Sequence, residues 1–437
     1  MRLITPIITA CLTILLSSAQ ERVNTLLDDD WEFTLLTAPG KESRKVDLPH
    51  DWSICNDFIA DAPTGNDGGY LPAGKGRYRK TFEISHDDFN SRHFSICIEG
   101  AYMNATLKVN GYETGTRPYG YSSAIYDITP YVRPGDNTLE ITVDNSAQKN
   151  CRWYSGSGIY RHVWLTATSP VHIAPWSLYV TTPHAGYASS TVSYSFEVNN
   201  PTWRGHEVTA TASVIDRAGA IIATSHTSPQ IIAPDSTAQF SGSMTLTSPR
   251  LWSPDDPNLY TLKVEICENG SLTDNISQTF GIREITFSPE GMTLNGRSMI
   301  LNGGCVHHDN GLLGARSYDA AEARKVRLLK QAGFNAVRTS HNPPSPAFLD
   351  ECDRQGLLVI DEAFDGWRES KTPHDYSQHF DQWWERDIEA MVLRDRNHPS
   401  VICWSTGNEI IERKKPAAVE TARRLAPPCL TLDPSRP

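Results

Sequence analysis

Between residues 20 and 283 the chain is written in short runs where apolar and polar side chains alternate. HFSICIEG (93–100), NATLKVNG (104–111) and NTLEITVDN (137–145) carry the period of two that buries one face of a strand. Asn110-Gly111 and Pro134-Gly135-Asp136 punctuate them as turns. Residues 20–169 therefore predict a jelly-roll β-sandwich. STVSYSFEVNN, EVTATASVID, TAQFSGSMTL and YTLKVEICE repeat the alternation within 170–283 and predict a second, immunoglobulin-like sandwich.

After about Glu284 the period changes. SMILNGG (298–304), NAVRTSH (335–341), LLVIDEAFD (357–365) and SVICWSTGNE (400–409) read as strands. Helical patterns over Asp319–Ala332, Pro346–Gln355, Gln382–Arg396 and Pro416–Leu425 separate and follow them. Asp319 and Glu322 have capping-box spacing, and Gly333 and Gly356 mark helix ends. Strand-helix alternation of this kind predicts a parallel sheet covered by helices, so residues 284–437 are expected to form the first half of a (β/α)8 TIM barrel. A doubly wound open sheet fits less well, because no glycine-rich phosphate loop follows the first strand.

Each of these strands ends in groups that an apolar core would reject: Val306-His307-His308-Asp309-Asn310, Arg338-Thr339-Ser340-His341-Asn342, Asp361-Glu362-Ala363-Phe364-Asp365-Gly366-Trp367 and Asn408-Glu409. Burying one such group without a partner costs roughly 2–7 kcal/mol. Together, on the carboxyl ends of neighbouring parallel strands, they predict a polar pocket with an aromatic wall. Plainer readings exist for each. Arg338 could neutralise Asp361 or Glu362, Trp367 could pack a loop, Asp365 could cap a helix, and His307-His308 could bind metal. Adjacent strand residues point to opposite faces, which argues against a His307-His308 metal pair.

Composition narrows the function. A formal charge of −11 over 437 residues argues against nucleic acid or an anionic membrane as partner. Arg2, the apolar stretch Leu3–Leu16 and Ser17-Ser18-Ala19 read as a signal peptide over 1–19, with a periplasmic or secreted product. No other segment has the length and apolarity of a membrane span. Of the nine cysteines, Cys11 falls in the leader; the other eight show no CxxC pair or regular spacing, and most read as buried small hydrophobes.

Pro49-His50-Asp51-Trp52, Arg152 to Arg161 (RWYSGSGIYR), Arg338 to Pro343 (RTSHNP), Asp361-Glu362-Ala363 and Arg394 to Glu409 (RDRNHPSVICWSTGNE) resemble the glycoside hydrolase family 2 enzymes over nearly the whole mature chain. HHDN and DEAFDGW make the resemblance strongest to secreted bacterial β-galactosidases. The resemblance implies retaining hydrolysis of a carbohydrate substrate. Glu409 would be the catalytic acid/base, its pKa raised so that it holds a proton near neutrality. Asn408 would bind the sugar 2-hydroxyl, His308 and His341 other hydroxyls, and Asp365, Trp367 and Arg152 would complete the sugar subsite. Arg338, with His307 and Asp361 in support, would keep the nucleophile ionised.

The sequence departs from the family in two ways. Where some members carry a Glu and a His for magnesium, this chain has Phe364-Asp365-Gly366-Trp367, so neither metal nor cofactor is expected at the centre. No residue matches the family's nucleophilic Glu, and the chain is expected to be truncated within its barrel. A retaining pair stands roughly 5–5.5 Å apart, so the chain as written is expected to be inactive. β-Glucuronidase or β-mannosidase activity, or a non-catalytic carbohydrate-binding fragment, are the alternatives. Unpaired sheet edges favour aggregation or a homo-oligomer.

Overall fold

In the computed structural model, which describes residues 21–437, the alternating runs become two sandwiches, each made of two antiparallel sheets. The expected leader over 1–19 lies outside the described residues. In the first sandwich, Phe94, Ile96 and Ile98 of a four-stranded sheet meet Phe33, Tyr78, Leu107 and Leu139 of a six-stranded one. Gly74–Ile84 pairs along its full length with Gly135–Asn145, burying every second side chain over most of it. In the second sandwich, Val192, Phe196, Val198 and Phe240 face Val208, Ala210, Leu262 and Val264.

A three-stranded meander, Ile285–Ser288, Gly291–Leu294 and Arg297–Met299, leads into the parallel sheet. Gly303–Val306, Ala336–Thr339, Leu358–Glu362 and Val401–Ser405 pair in chain order, all parallel. The expected strand over 298–304 is thus divided between the meander and the sheet. The helices are Asp319–Gln331, Pro346–Gln355, Ser377–Asp395 and Pro416–Leu432. None of the described helices is long and apolar enough to cross a membrane.

Pro346–Gln355 starts where its caps dictate: Ser345 accepts from the Phe348 N–H, and Gly356 closes it with φ 76°. The expected capping box at Asp319 does not form. Glu322 is buried instead, accepting from Asn310 Nδ2 and Ser317 Oγ, and Asp319 reaches His162 in the first sandwich. The last helix runs on through Pro427 and Pro428, past the expected end at Leu425.

The two sandwiches cover opposite ends of the parallel sheet. Tyr102, Met103, Tyr119, Tyr121 and Tyr160 of the first share one core with Ala363, Phe364 and Trp367 beyond the sheet's carboxyl end. Each fully buried ring of this kind contributes about 2–3 kcal/mol. The second sandwich holds the amino end: Arg283 donates to the Pro399 and Val401 carbonyls at 2.6 and 2.8 Å. Along the fourth strand, the Trp404 N–H donates to the Pro437 carbonyl at 2.9 Å.

Candidate active site

Where the first sandwich meets the carboxyl end of the sheet, a cleft opens to solvent. Tyr102, Tyr119, Tyr121, Trp153, Trp367 and Tyr376 give it aromatic walls, and Arg152, His341 and Asp365 line it as polar groups. Tyr119 fixes one wall by donating its hydroxyl to the Ala363 carbonyl at 2.6 Å.

Asn408 and Glu409 lie on the loop after the fourth strand, which ends at Ser405, and not on the strand itself. Asn408 is buried. Its Oδ1 accepts from Arg338 at 3.0 Å and its Nδ2 donates to Asp365 Oδ1 at 2.9 Å. Trp367 braces this loop by donating Nε1 to the Thr406 carbonyl at 2.8 Å. Only 7% of Trp367 is exposed, so the open ring face expected of a sugar platform is not there. Glu409 adopts a left-handed backbone, φ 41°, a conformation that disfavours side chains with a Cβ and recurs at functional sites. Its carboxylate is 68% exposed and pairs with Arg152 at 3.3 Å. The desolvated setting that a proton-holding acid needs is therefore not formed around it.

Asp365 is the hub of this rim. Arg152 grips it with two prongs, Nε to Oδ2 at 3.0 Å and Nη2 to Oδ1 at 2.7 Å. Lys371 Nζ reaches Oδ1 at 2.9 Å and also donates to the Asp365 and Asn408 carbonyls. Burial opposes the charge on Asp365, but bonds from Arg152, Asn408 and Lys371 outweigh it and bring its pKa down to about 2. Arg152 belongs to the first sandwich, so this pair bridges the two domains. Lys371 was not singled out from the sequence, because nothing local marks a lysine in a turn-rich segment.

His341 Nδ1 lies 2.6 Å from Glu362 Oε1, and among the described residues none hydrogen-bonds its Nε2. Ser405 donates to Glu362 Oε2 at 2.7 Å, and Arg338 Nε stands 3.5 Å from the same oxygen. Glu362 is thus the acidic partner on this face, whereas Asp361 points the other way, as strand alternation requires. Asp361 is buried against the helix layer beside Asp395, and burial followed by that neighbour raises its pKa well above the usual range. Glu362, and not the expected Asp361, is the acid that faces Arg338 and His341.

His307 and His308 also diverge. His307 packs against Trp153 and His341, with ring centroids 5.0 and 5.6 Å away. His308 turns instead toward Tyr121 and Tyr160, and its Nε2 donates to the Ser155 carbonyl at 3.2 Å. Burial, then Arg161, pushes its pKa down to about 3, so it stays neutral. Neither histidine lines the cleft itself: His308, expected to contact sugar, is wedged between the domains, and His307 lies behind Trp153 and His341.

Asp51 was likewise invisible as a site organiser. Its buried carboxylate accepts from the Ser53, Ser157 and Ala315 N–H groups and from the Tyr154 hydroxyl. It ties the segment carrying Arg152 to the loop after His308. Among the described residues, Asp350, Asp353 and His398 form the one group with metal-like spacing. They lie at the opposite end of the sheet, where His398 Nδ1 is 2.6 Å from Asp353 Oδ2 and the Ser400 N–H also binds Asp353.

Residues 285–437 match the family model described as glycosyl hydrolases family 2, TIM barrel domain, and residues 171–283 match glycosyl hydrolases family 2. Beta-galactosidase BoGH2A of Bacteroides ovatus is 42% identical over 422 residues, which are 94% of this chain and 49% of that protein. A crystal structure of a glycosyl hydrolase family 2 member from Bacteroides cellulosilyticus superposes with a TM-score of 0.90 at 41% identity, covering 95% of this chain and 55% of that one. The Bacteroides uniformis beta-glucuronidase structure gives 0.81 at 26% identity, with 95% and 52% coverage. The chain spans about half the length of these relatives. With its two sandwiches, its parallel sheet and these matches, the chain belongs to glycoside hydrolase family 2.

Proposed function

We propose that this chain forms the acid/base side of a retaining glycosidase that acts on terminal β-galactosides. The first sandwich is then of jelly-roll type, the second immunoglobulin-like, and the parallel sheet the first half of an eight-stranded barrel. One observation carries the reading: Asn408 and Glu409 share a rim with Arg338, His341 and Asp365 beside an aromatic cleft at the sheet's carboxyl end. Glu409 serves as general acid and then base, and Asn408 holds the 2-hydroxyl. The exposed carboxylate acquires its desolvated setting only when sugar and further protein surface close over it.

No nucleophile is assigned. Asp365 stands beside Glu409, on the same Arg152 nitrogen, but its Oδ1 already accepts from Arg152, Asn408 and Lys371. A carboxylate so engaged has little electron density to offer an anomeric carbon.

The charge balance favours a neutral sugar. Arg152 is matched by Asp365 and Glu409, Lys371 by Asp365, and Arg338 by Glu362. Among the described residues of the rim, no cation is left over for a uronic acid carboxylate. Beta-galactosidase BoGH2A is the relative in keeping with that choice.

Calorimetric titration of the 437-residue protein with methyl β-galactoside, β-mannoside and β-glucuronide tests this reading. The galactoside is expected to bind best, and Asn408→Ala to weaken it at least tenfold. Tighter binding of the glucuronide would overturn the sugar assignment. The 437-residue chain is expected to release little or no nitrophenol from an aryl β-galactoside. Release that Glu409→Gln abolishes would show that the nucleophile is already present.

A further inference from the structure

The first sandwich carries an ordered loop, residues 53–73, that contains turns but neither helix nor strand. Loops this long inside a compact domain are uncommon and usually functional. Its ends are fastened by Ser53 Oγ to the Pro72 carbonyl and Thr64 Oγ1 to the Leu71 carbonyl, both at 2.7 Å. Its middle is closed by the Ile59 N–H on the Tyr70 carbonyl and the Tyr70 N–H on the Gly65 carbonyl. On this braced frame Phe58 is 77% exposed, and Ile59 and Tyr70 are both 43% exposed. Tyr70 holds a left-handed backbone, φ 58°, unusual for a bulky residue.

The loop is docked beside the cleft. Lys149 Nζ binds Asn66 Oδ1 and Asp67 Oδ2 at 3.1 and 3.0 Å, and the Lys149 carbonyl accepts from the His374 N–H on the far rim. A Cβ at Gly69 would lie 3.7 Å from the Tyr154 ring. Tyr154 is two residues from Arg152, a span of at most about 7 Å. Gly69 and Tyr154 thus link the loop that carries Phe58 and Tyr70 to the segment that carries Arg152, the partner of Glu409.

From this placement, and resting on the glycosidase reading above, we propose that Phe58 and Tyr70 form a platform for the leaving-group sugars of a neutral β-linked oligosaccharide. The C–H face of a pyranose is apolar and gains by covering an exposed ring. Neighbouring Asn66, Asp67 and Lys149 supply partners for hydroxyls at the ring edge. A loop already fixed by its own hydrogen bonds loses little entropy when the sugar lands. The substrate class is then a glycan of several residues rather than a small galactoside.

The test is calorimetric titration of the 437-residue protein with methyl β-galactoside and with a neutral tetrasaccharide ending in β-galactose. The tetrasaccharide should bind at least tenfold tighter than the monosaccharide glycoside. The double variant Phe58→Ala/Tyr70→Ala should bring that ratio close to one and leave methyl β-galactoside affinity unchanged. Circular dichroism verifies that the variant is folded, as expected for truncation of exposed rings. An unchanged ratio in the folded variant would overturn the platform while the cleft reading stands. A tetrasaccharide that needs Phe58 and Tyr70 yet is not displaced by excess methyl β-galactoside would keep the platform and overturn the cleft reading. Binding of neither ligand would overturn both.

Discussion

At the amino end of the parallel sheet, three side chains finish on backbone carbonyls; at the carboxyl end the rim is joined mainly by side chains that bond one another. Arg283 takes the Pro399 and Val401 carbonyls, Arg436 those of His398, Val401 and Arg396, and Asn397 Nδ2 that of Leu178. A carbonyl cannot change its charge, so the Arg283 and Asn397 bonds fasten the second sandwich to the sheet, while those of Arg436 hold the sheet's own amino-end loop. Arg152, Asp365, Lys371, Arg338, Asn408 and Glu362 instead form a network of side chains with an open edge at Glu409. Partners of that kind can be exchanged for a ligand's hydroxyls. The destination of a buried charge thus separates fastening from function better than its burial does.

Breaking the fastened end should have the largest effect on stability. Arg283→Met takes the donor from the buried Pro399 carbonyl and one of two donors from the Val401 carbonyl, and is expected to destabilise the protein by about 3 kcal/mol. Urea denaturation would read the loss, and galactoside affinity should stay within twofold. A parallel fall in affinity would mean that the two ends are not separable.

The ends should also respond to pH in opposite senses. Burial lowers the pKa of His398, but Asp353 overrides it and raises the value to about 9. A raised folded pKa stabilises fully below the unfolded value of about 6.5 and loses that contribution as pH climbs through about 9. The expected decline between those limits is about 2 kcal/mol, followed by thermal melts, and His398→Gln should flatten it. A smaller slope should remain from His162, which burial lowers but Asp28, then Glu99 and Asp319, raise to about 9. Asp365, held down to about 2, contributes above its unfolded value near 4 and loses that contribution as pH falls toward 2.

The smallest stability change should come from the open end. Arg152→Met removes a pair about one-third exposed, so its loss is expected to cost no more than about 1 kcal/mol. Galactoside affinity should nonetheless fall at least fivefold in the same titration. Full affinity in a folded Arg152→Met protein would remove the interdomain pair from the site.

How far the sequence revealed this site depends on the range of the interactions. Local signals served well: Gly356 ends its helix where expected, and alternation placed the inward rows of Gly135–Asn145. Assignments that turned on which face a side chain takes were less secure. Asp361 and Glu362, like His307 and His308, are neighbours pointing to opposite sides, and a one-residue choice exchanges them. Contacts that cross domains left no local trace. The Tyr119 hydroxyl meets the Ala363 carbonyl, and Asp51 meets the Ala315 N–H, through folding alone. The proline pair at 427–428 misled in the opposite direction, since tertiary packing carries the helix past it.

The left-handed turn at residue 409 has a practical consequence. Glycine tolerates φ 41° where glutamate is strained, so Glu409→Gly should match or exceed the parent in melting temperature while removing the acid. Under the glycosidase reading proposed above, that variant would keep the rest of the rim without the acid and would serve to capture glycan ligands.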